Sequence, residues 1–173
     1  MTTEESLKTL EKRVFELEAH EGIRDAIASY SWAVDTEDWK LMEDTFTKNA
    51  VCENRWRQKN YIGNKVIADF FKQPRTRFKF SNRMSNLNER IHISGKKARA
   101  GSYFLVTYTI DGESRIGWGY YNWELRYEDS KWKISRLILE PTLMSTIERG
   151  WGMETNRVLE APVLPRQQQR RKA

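Results

Sequence analysis

The chain has 173 residues, with 30 Lys plus Arg against 24 Asp plus Glu and a formal charge of +6. That length supports one domain with a sizeable core, no apolar run nears the roughly 18 residues of a membrane span, and the single cysteine, Cys52, excludes an intrachain disulfide and fits a reducing cytoplasmic setting. Four positive charges, Arg166, Arg170, Arg171 and Lys172, lie in the last nine residues; removing them from +6 leaves a body near +2, which argues against a nucleic-acid-binding domain surface.

In chain order, the opening MTTEE is acidic and polar, unlike a secretory signal. Leu7, Leu10, Val14 and Leu17 alternate at spacings of three and four, which predicts a helix whose narrow apolar seam packs on its own domain or on a second subunit. Ile23, Ile27, Tyr30 and Val34 continue or restart that helix with a buried face. Asp35, at the end of the face, is costly to bury unless paired or used; buried, it becomes a candidate proton-transfer group. It is equally suited to cap a helix opening at Thr36. On a straight helix, positions 30 and 35 lie roughly 140° apart, so the two converge only if the helix ends near Asp35.

Trp39, Met42 and Phe46 form the apolar face of a second helix. Residues 49–56 read as a strand, 61–63 as a turn, and 65–72 as a short helix stopped before Pro74. The second half reads as an antiparallel meander: strands at 91–94 and 98–110 around a glycine turn, the Asp111-Gly112 turn, a strand at 117–127, and a last strand at 132–139 ended by Pro141. Tyr121 and Trp123 share one face of their strand, and Trp118 and Tyr120 the other. Helices first and a meander afterwards make an α+β domain, expected over 1–160, with a basic tail over 161–173 too poor in apolar groups to fold.

Several strings together resemble the SnoaL-like branch of the nuclear transport factor 2-like superfamily: LEKRV at 10–14, YSWAVD at 30–35, DW at 38–39, FTKNAV at 46–51, IHISGKKA at 91–98, GYY at 119–121 and KWKI at 131–134. The resemblance spans about residues 5–150. It implies a cone-shaped α+β barrel in which N-terminal helices pack into a highly curved antiparallel sheet around a ligand pocket. Within this group, the bile acid 7α-dehydratase type uses a Tyr and an Asp on the first long helix, a His on a strand and a C-terminal Arg. Tyr30 and Asp35 match the first two in identity and spacing, and Arg149 falls where the Arg is expected. The His has no counterpart, because its place falls near Met84; Arg83, Asn86 and Asn88 are the polar neighbours.

On that resemblance, Asp35 is the candidate base, Tyr30 the hydrogen-bonding partner of a leaving oxygen, and Arg149 the holder of a carboxylate or enolate. Trp32, Trp39, Trp56, Met84, Tyr121 and Trp123 are the candidate walls for a ring-shaped ligand. Such an elimination requires no metal or organic cofactor, and two separated histidines with one cysteine give no zinc-ligand spacing. The expectation is a cytoplasmic, cofactor-independent lyase or isomerase acting on a hydrophobic cyclic or aromatic molecule, with a dimer or trimer formed through the aromatic sheet face. A non-catalytic ligand-binding or oxygenase-scaffold module of the same fold is the rival.

Overall fold

In the computed structural model, which describes residues 2–150, the chain opens with one long helix, α1 (Thr3–Thr36), rather than two. Thr2 caps it through a capping box: its hydroxyl accepts from the Glu5 N–H while the Glu5 carboxylate accepts from the Thr2 N–H. Gly22 is the weakest helix former along the way. It is required there because the Trp132 ring lies against the helix, and a Cβ at this position would come 2.9 Å from Trp132 Cδ1. Glu37 ends α1 in a left-handed conformation, φ 60°. Asp38 then caps α2 (Trp39–Thr45), its Oδ1 accepting from the Leu41 N–H at 2.9 Å. The cap for which Asp35 is suited therefore comes from Asp38, and Asp35 remains in the last turn of α1.

The remaining elements are β1 (Phe46–Asn54), β2 (Lys59–Ile62), α3 (Asn64–Arg77), β3 (Phe80–Ser94), β4 (Lys97–Ile110), β5 (Glu113–Glu128) and β6 (Lys131–Thr146). Four of them depart from the sequence reading. A short strand, β2, pairs antiparallel with β1 where a turn is expected. Helix α3 runs on through Pro74, whose carbonyl accepts from the Phe78 N–H at 3.0 Å. β3 begins at Phe80, eleven residues before the apolar alternation that signals it, because its first half is polar. β6 continues past Pro141 to Thr146; the ring sits opposite Gly119, where the register with β5 shifts, a kind of irregularity at which proline is tolerated in a strand.

The six strands form one open sheet in the order β2-β1-β6-β5-β4-β3. The sheet is mixed: β1 pairs parallel with β6, and every other pair is antiparallel. Alternation along β4 and β5 puts Ala98, Ala100, Phe104, Tyr121, Trp123 and Leu125 into the core, against Ile23, Ile27, Tyr30 and Val34 of α1. Gly119 permits close approach in this wall, since a Cβ there would meet Phe104 Cε1 at 2.8 Å. Among the described residues the first half of α1 finds no such partner: Leu7, Leu10, Val14 and Leu17 are each more than half exposed. Among the described residues no helix is long and apolar enough to cross a membrane. The basic tail expected over 161–173 lies outside the described residues.

Candidate functional site

β3 is an edge strand, and the last turns of α1 cover its open edge. Asp35 Oδ1 accepts from Asn82 Nδ2 at 2.7 Å, and both carboxylate oxygens accept from the Met84 N–H at 3.1 Å. One helical turn earlier, the Ser31 hydroxyl accepts from Asn86 Nδ2 at 2.6 Å. The match is geometric: four residues of helix advance about 6 Å, close to the roughly 6.6 Å of two strand residues. Alternate positions of β3 therefore meet successive turns of α1. Burial raises the Asp35 carboxyl above its ordinary value; the Met84 N–H and the charges of Arg83 and Arg75 pull it back only in part.

Arg75, from the last turn of α3, fixes the Asn82 amide. Its Nη2 donates to Asn82 Oδ1 and to the Val34 carbonyl, the latter at 2.5 Å, and its Nη1 donates to the Phe71 carbonyl at 3.2 Å. Its Nε lies 3.1 Å from Glu37 Oε1. The guanidinium is stacked between Trp39 and Phe80, 5.2 and 5.0 Å from the ring centres. With Asn82 Oδ1 held by a cation, Nδ2 is left to face Asp35. The chain Glu37–Arg75–Asn82–Asp35 is thus ordered end to end.

Asn82, Met84 and Arg75 also line a cavity of about 320 Å³. The rings of Phe70, Phe71, Phe80, Phe104, Tyr108 and Tyr121 form part of its wall, and Asn54, Trp56 and Arg57 enter from the β1–β2 side of the sheet. The Tyr121 hydroxyl lies 3.1 Å from the Tyr30 hydroxyl and donates to Met84 Sδ at 3.4 Å. Burial holds both phenols above their ordinary value, so they stay neutral donors.

Trp56, Met84 and Tyr121 line the cavity. Asp35 sits one hydrogen bond behind the lining, through Asn82 and Met84. Tyr30 is fully buried behind Tyr121, surrounded by Phe46, Phe71 and Trp123. Four expected wall or site residues lie elsewhere. Trp32 is 67% exposed, because it is about 200° around the helix from Tyr30. Trp39 is taken up beneath Arg75. Trp123 is closed in the core, its Nε1 donating to Ser102 Oγ at 3.0 Å. Arg149 lies exposed in the turn after β6, where its N–H donates to Thr146 Oγ1 at 3.2 Å. Sequence reasoning missed Arg75, Asn82, Asn54 and Arg57; the polar alternation of Asn82, Met84 and Asn86 is the one signal that marks an edge facing a partner. Among the described residues no group of His, Cys, Asp and Glu is placed to hold a metal ion.

Solved structures share this architecture. A proposed aromatic ring hydroxylase from Novosphingobium aromaticivorans superposes with a TM-score of 0.68 at 24% identity, over 75% of this chain and 94% of that one. A proposed scytalone dehydratase from the same organism gives 0.68 at 20% identity, over 75% and 88%. The LinA-type hexachlorocyclohexane dehydrochlorinase of Novosphingobium barchaimii gives 0.71 at 16% identity, over 87% and 99%. At these identities the likeness is one of fold. No curated protein sequence matches significantly. The SnoaL-like domain model matches residues 16–138, from the middle of α1 into β6, and the chain therefore belongs to the SnoaL-like domain family.

Proposed function

We propose that this protein is a cofactor-independent lyase or isomerase acting on a hydrophobic cyclic or aromatic small molecule. The observation that carries the reading is the Asp35 carboxylate, partly desolvated, pushed toward higher basicity, and held against two residues that line a ring-walled cavity. In an elimination, the Asp35 carboxylate, which sits behind Asn82 and Met84, turns from those two contacts toward the cavity and takes the proton from a carbon beside an electron-withdrawing group; the double bond forms, and the bond to the leaving oxygen breaks. Tyr121, a neutral phenol on the cavity wall, supplies the proton that lets the oxygen depart as water, and Tyr30 orients that hydroxyl from behind. In an isomerisation, Asp35 returns the proton at a second carbon. Structures of this fold include a dehydrochlorinase and a proposed dehydratase, which supports the class of chemistry. The reading places the protein in the cytoplasm and as an oligomer of identical chains.

Met84 favours a second reading. It occupies the place where the family resemblance implies a histidine, and a thioether carries no proton. Both Asp35 oxygens are also engaged by the Met84 N–H. A cavity without turnover, in a ligand-binding or scaffold module, fits these two facts. The experiment is to incubate the protein with cyclic and aromatic β-hydroxy and β-halo carbonyl compounds and read loss of water or halide by mass spectrometry. The enzyme reading expects product from at least one compound and a fall of about 10²–10⁴ in Asp35→Asn. Binding without product across the panel, or turnover indifferent to Asp35→Asn, overturns it.

A further inference from the structure

The charged side chains on the cavity lining itself, among the described residues, are of one sign. Among the described residues, Arg57 and Arg75 are the only Lys, Arg, Asp or Glu side chains on its lining, and no carboxylate lines it. The two arginines are not equivalent. Arg75 donates to Val34, Phe71 and Asn82 and lies in ion-pair range of Glu37, so its charge is already compensated within the chain. Arg57 has no ion-pair or side-chain hydrogen-bond partner among the described residues. Its guanidinium rests over the Phe70 ring, 5.6 Å from the centre, and Phe70 is itself part of the wall. A guanidinium stacked on a ring keeps its planar fork of donors open at the edge.

Asn54 adds a second donor. It is buried, lines the cavity, and is held by the turn after β1, where its Oδ1 accepts from the Arg57 N–H at 2.9 Å. With Oδ1 so used, the amide must present Nδ2 the other way, and that group has no partner among the described residues. An unpaired side-chain amide N–H beside an exposed guanidinium that has no protein partner among the described residues, at the edge of a pocket lined by aromatic rings, is a receptor for an anionic oxygen.

The geometry points to a ligand that is a ring compound bearing a carboxylate, its ring on Phe70, Phe71 and Phe104 and its carboxylate at Arg57 and Asn54. This deepens the function proposed above by naming the substrate class, and it rests on the same cavity. β1 and β3 lie on opposite sides of the sheet order, so a carboxylate anchored at Arg57 leaves the far end of the ring toward Asn82, Met84 and Asp35. The anchoring charge is thereby separated from the reacting end.

The test uses the full chain and the Asp35→Asn variant, in which binding is read without turnover. Calorimetry compares 2-naphthoate with its neutral isostere 2-naphthamide in wild type, Arg57→Gln and Arg57→Lys. The expected result is that naphthoate binds roughly tenfold or more tightly than the amide, that Arg57→Gln abolishes the preference, and that Arg57→Lys keeps part of it. Equal binding of acid and amide, or a preference that survives Arg57→Gln, overturns the anionic anchor while leaving the ring-binding cavity in place. Failure of both compounds to bind overturns the cavity reading and this inference together.

Discussion

Asp35 accepts two good hydrogen bonds and still titrates above its ordinary value, because burial outweighs them. A carboxyl whose folded pKa is raised disfavours the fold when ionised. Its contribution is most favourable below the unfolded value, about 3.9; it declines as pH rises through the folded pKa and stays unfavourable at neutral pH. Asp35→Asn removes the charge yet keeps a carbonyl oxygen able to accept from Met84. The expected outcome is a melting temperature at pH 7 equal to or above that of the parent, with the difference between the two proteins closing as pH falls below about 4. Thermal melts across pH check this. A variant that melts well below the parent at pH 7 makes the carboxylate a structural brace for the β3 edge instead of a residue kept for its chemistry.

Helix α1 combines two different kinds of apolar surface along one element. In its second half Ile27 is buried between the sheet and the other helices, and in its first half Leu10 stands 56% exposed. Ile27→Ala should cost about 2–5 kcal/mol in urea unfolding. Leu10→Ala should change stability by no more than about 0.5 kcal/mol at protein concentrations where chains are separate. A large loss for Leu10→Ala under those conditions would mean that the seam is covered within the chain. The periodicity of the two halves reads alike, and this limits what the sequence reveals: spacing identifies an apolar stripe, whereas the surface that covers the stripe is a tertiary fact. The same limit explains the rest of the site. Asp35 and Tyr30 are legible as polar groups on a buried helix face. Asn82 and Arg75 are not, because one lies in a strand with no apolar alternation and the other beyond a proline that reads as a helix stop. The hairpin at Asp111 and Gly112 and the alternation of Tyr121 and Trp123 were legible because turn chemistry and a half-buried sheet leave local marks. The parallel pairing of β1 with β6 left none, since it joins segments far apart in the chain, Val51 facing Arg136.

For the molecule as a whole, the two ends of an open sheet and its outer face decide how copies meet. The edges are defended: β2 is only four residues long, and the Met84 N–H on the open edge of β3 is taken up by Asp35 of α1. The outer face is not. Tyr103 and Leu105 are 41% and 37% exposed on β4, and the Tyr103 ring packs 5.2 Å from that of Tyr120 on β5. Around them stand Arg99 and Glu124, cross-strand partners, with Arg136 and Glu140 on β6. A rim carrying both signs can meet a rotated copy of itself with opposite charges in register, as a two-fold or three-fold interface requires. An oligomer of identical chains through this face accordingly has a definite signature. Light scattering on the parent should give a multiple of the 20.6 kDa chain mass, and the double variant Tyr103→Glu with Leu105→Glu should shift it toward the single chain. Both side chains point away from the core, so circular dichroism and naphthoate binding should be retained. An unchanged mass in that variant would exclude the sheet face as the interface. The exposed seam of α1 is then the next surface to probe, with Leu10→Asp and Val14→Asp and the same mass measurement.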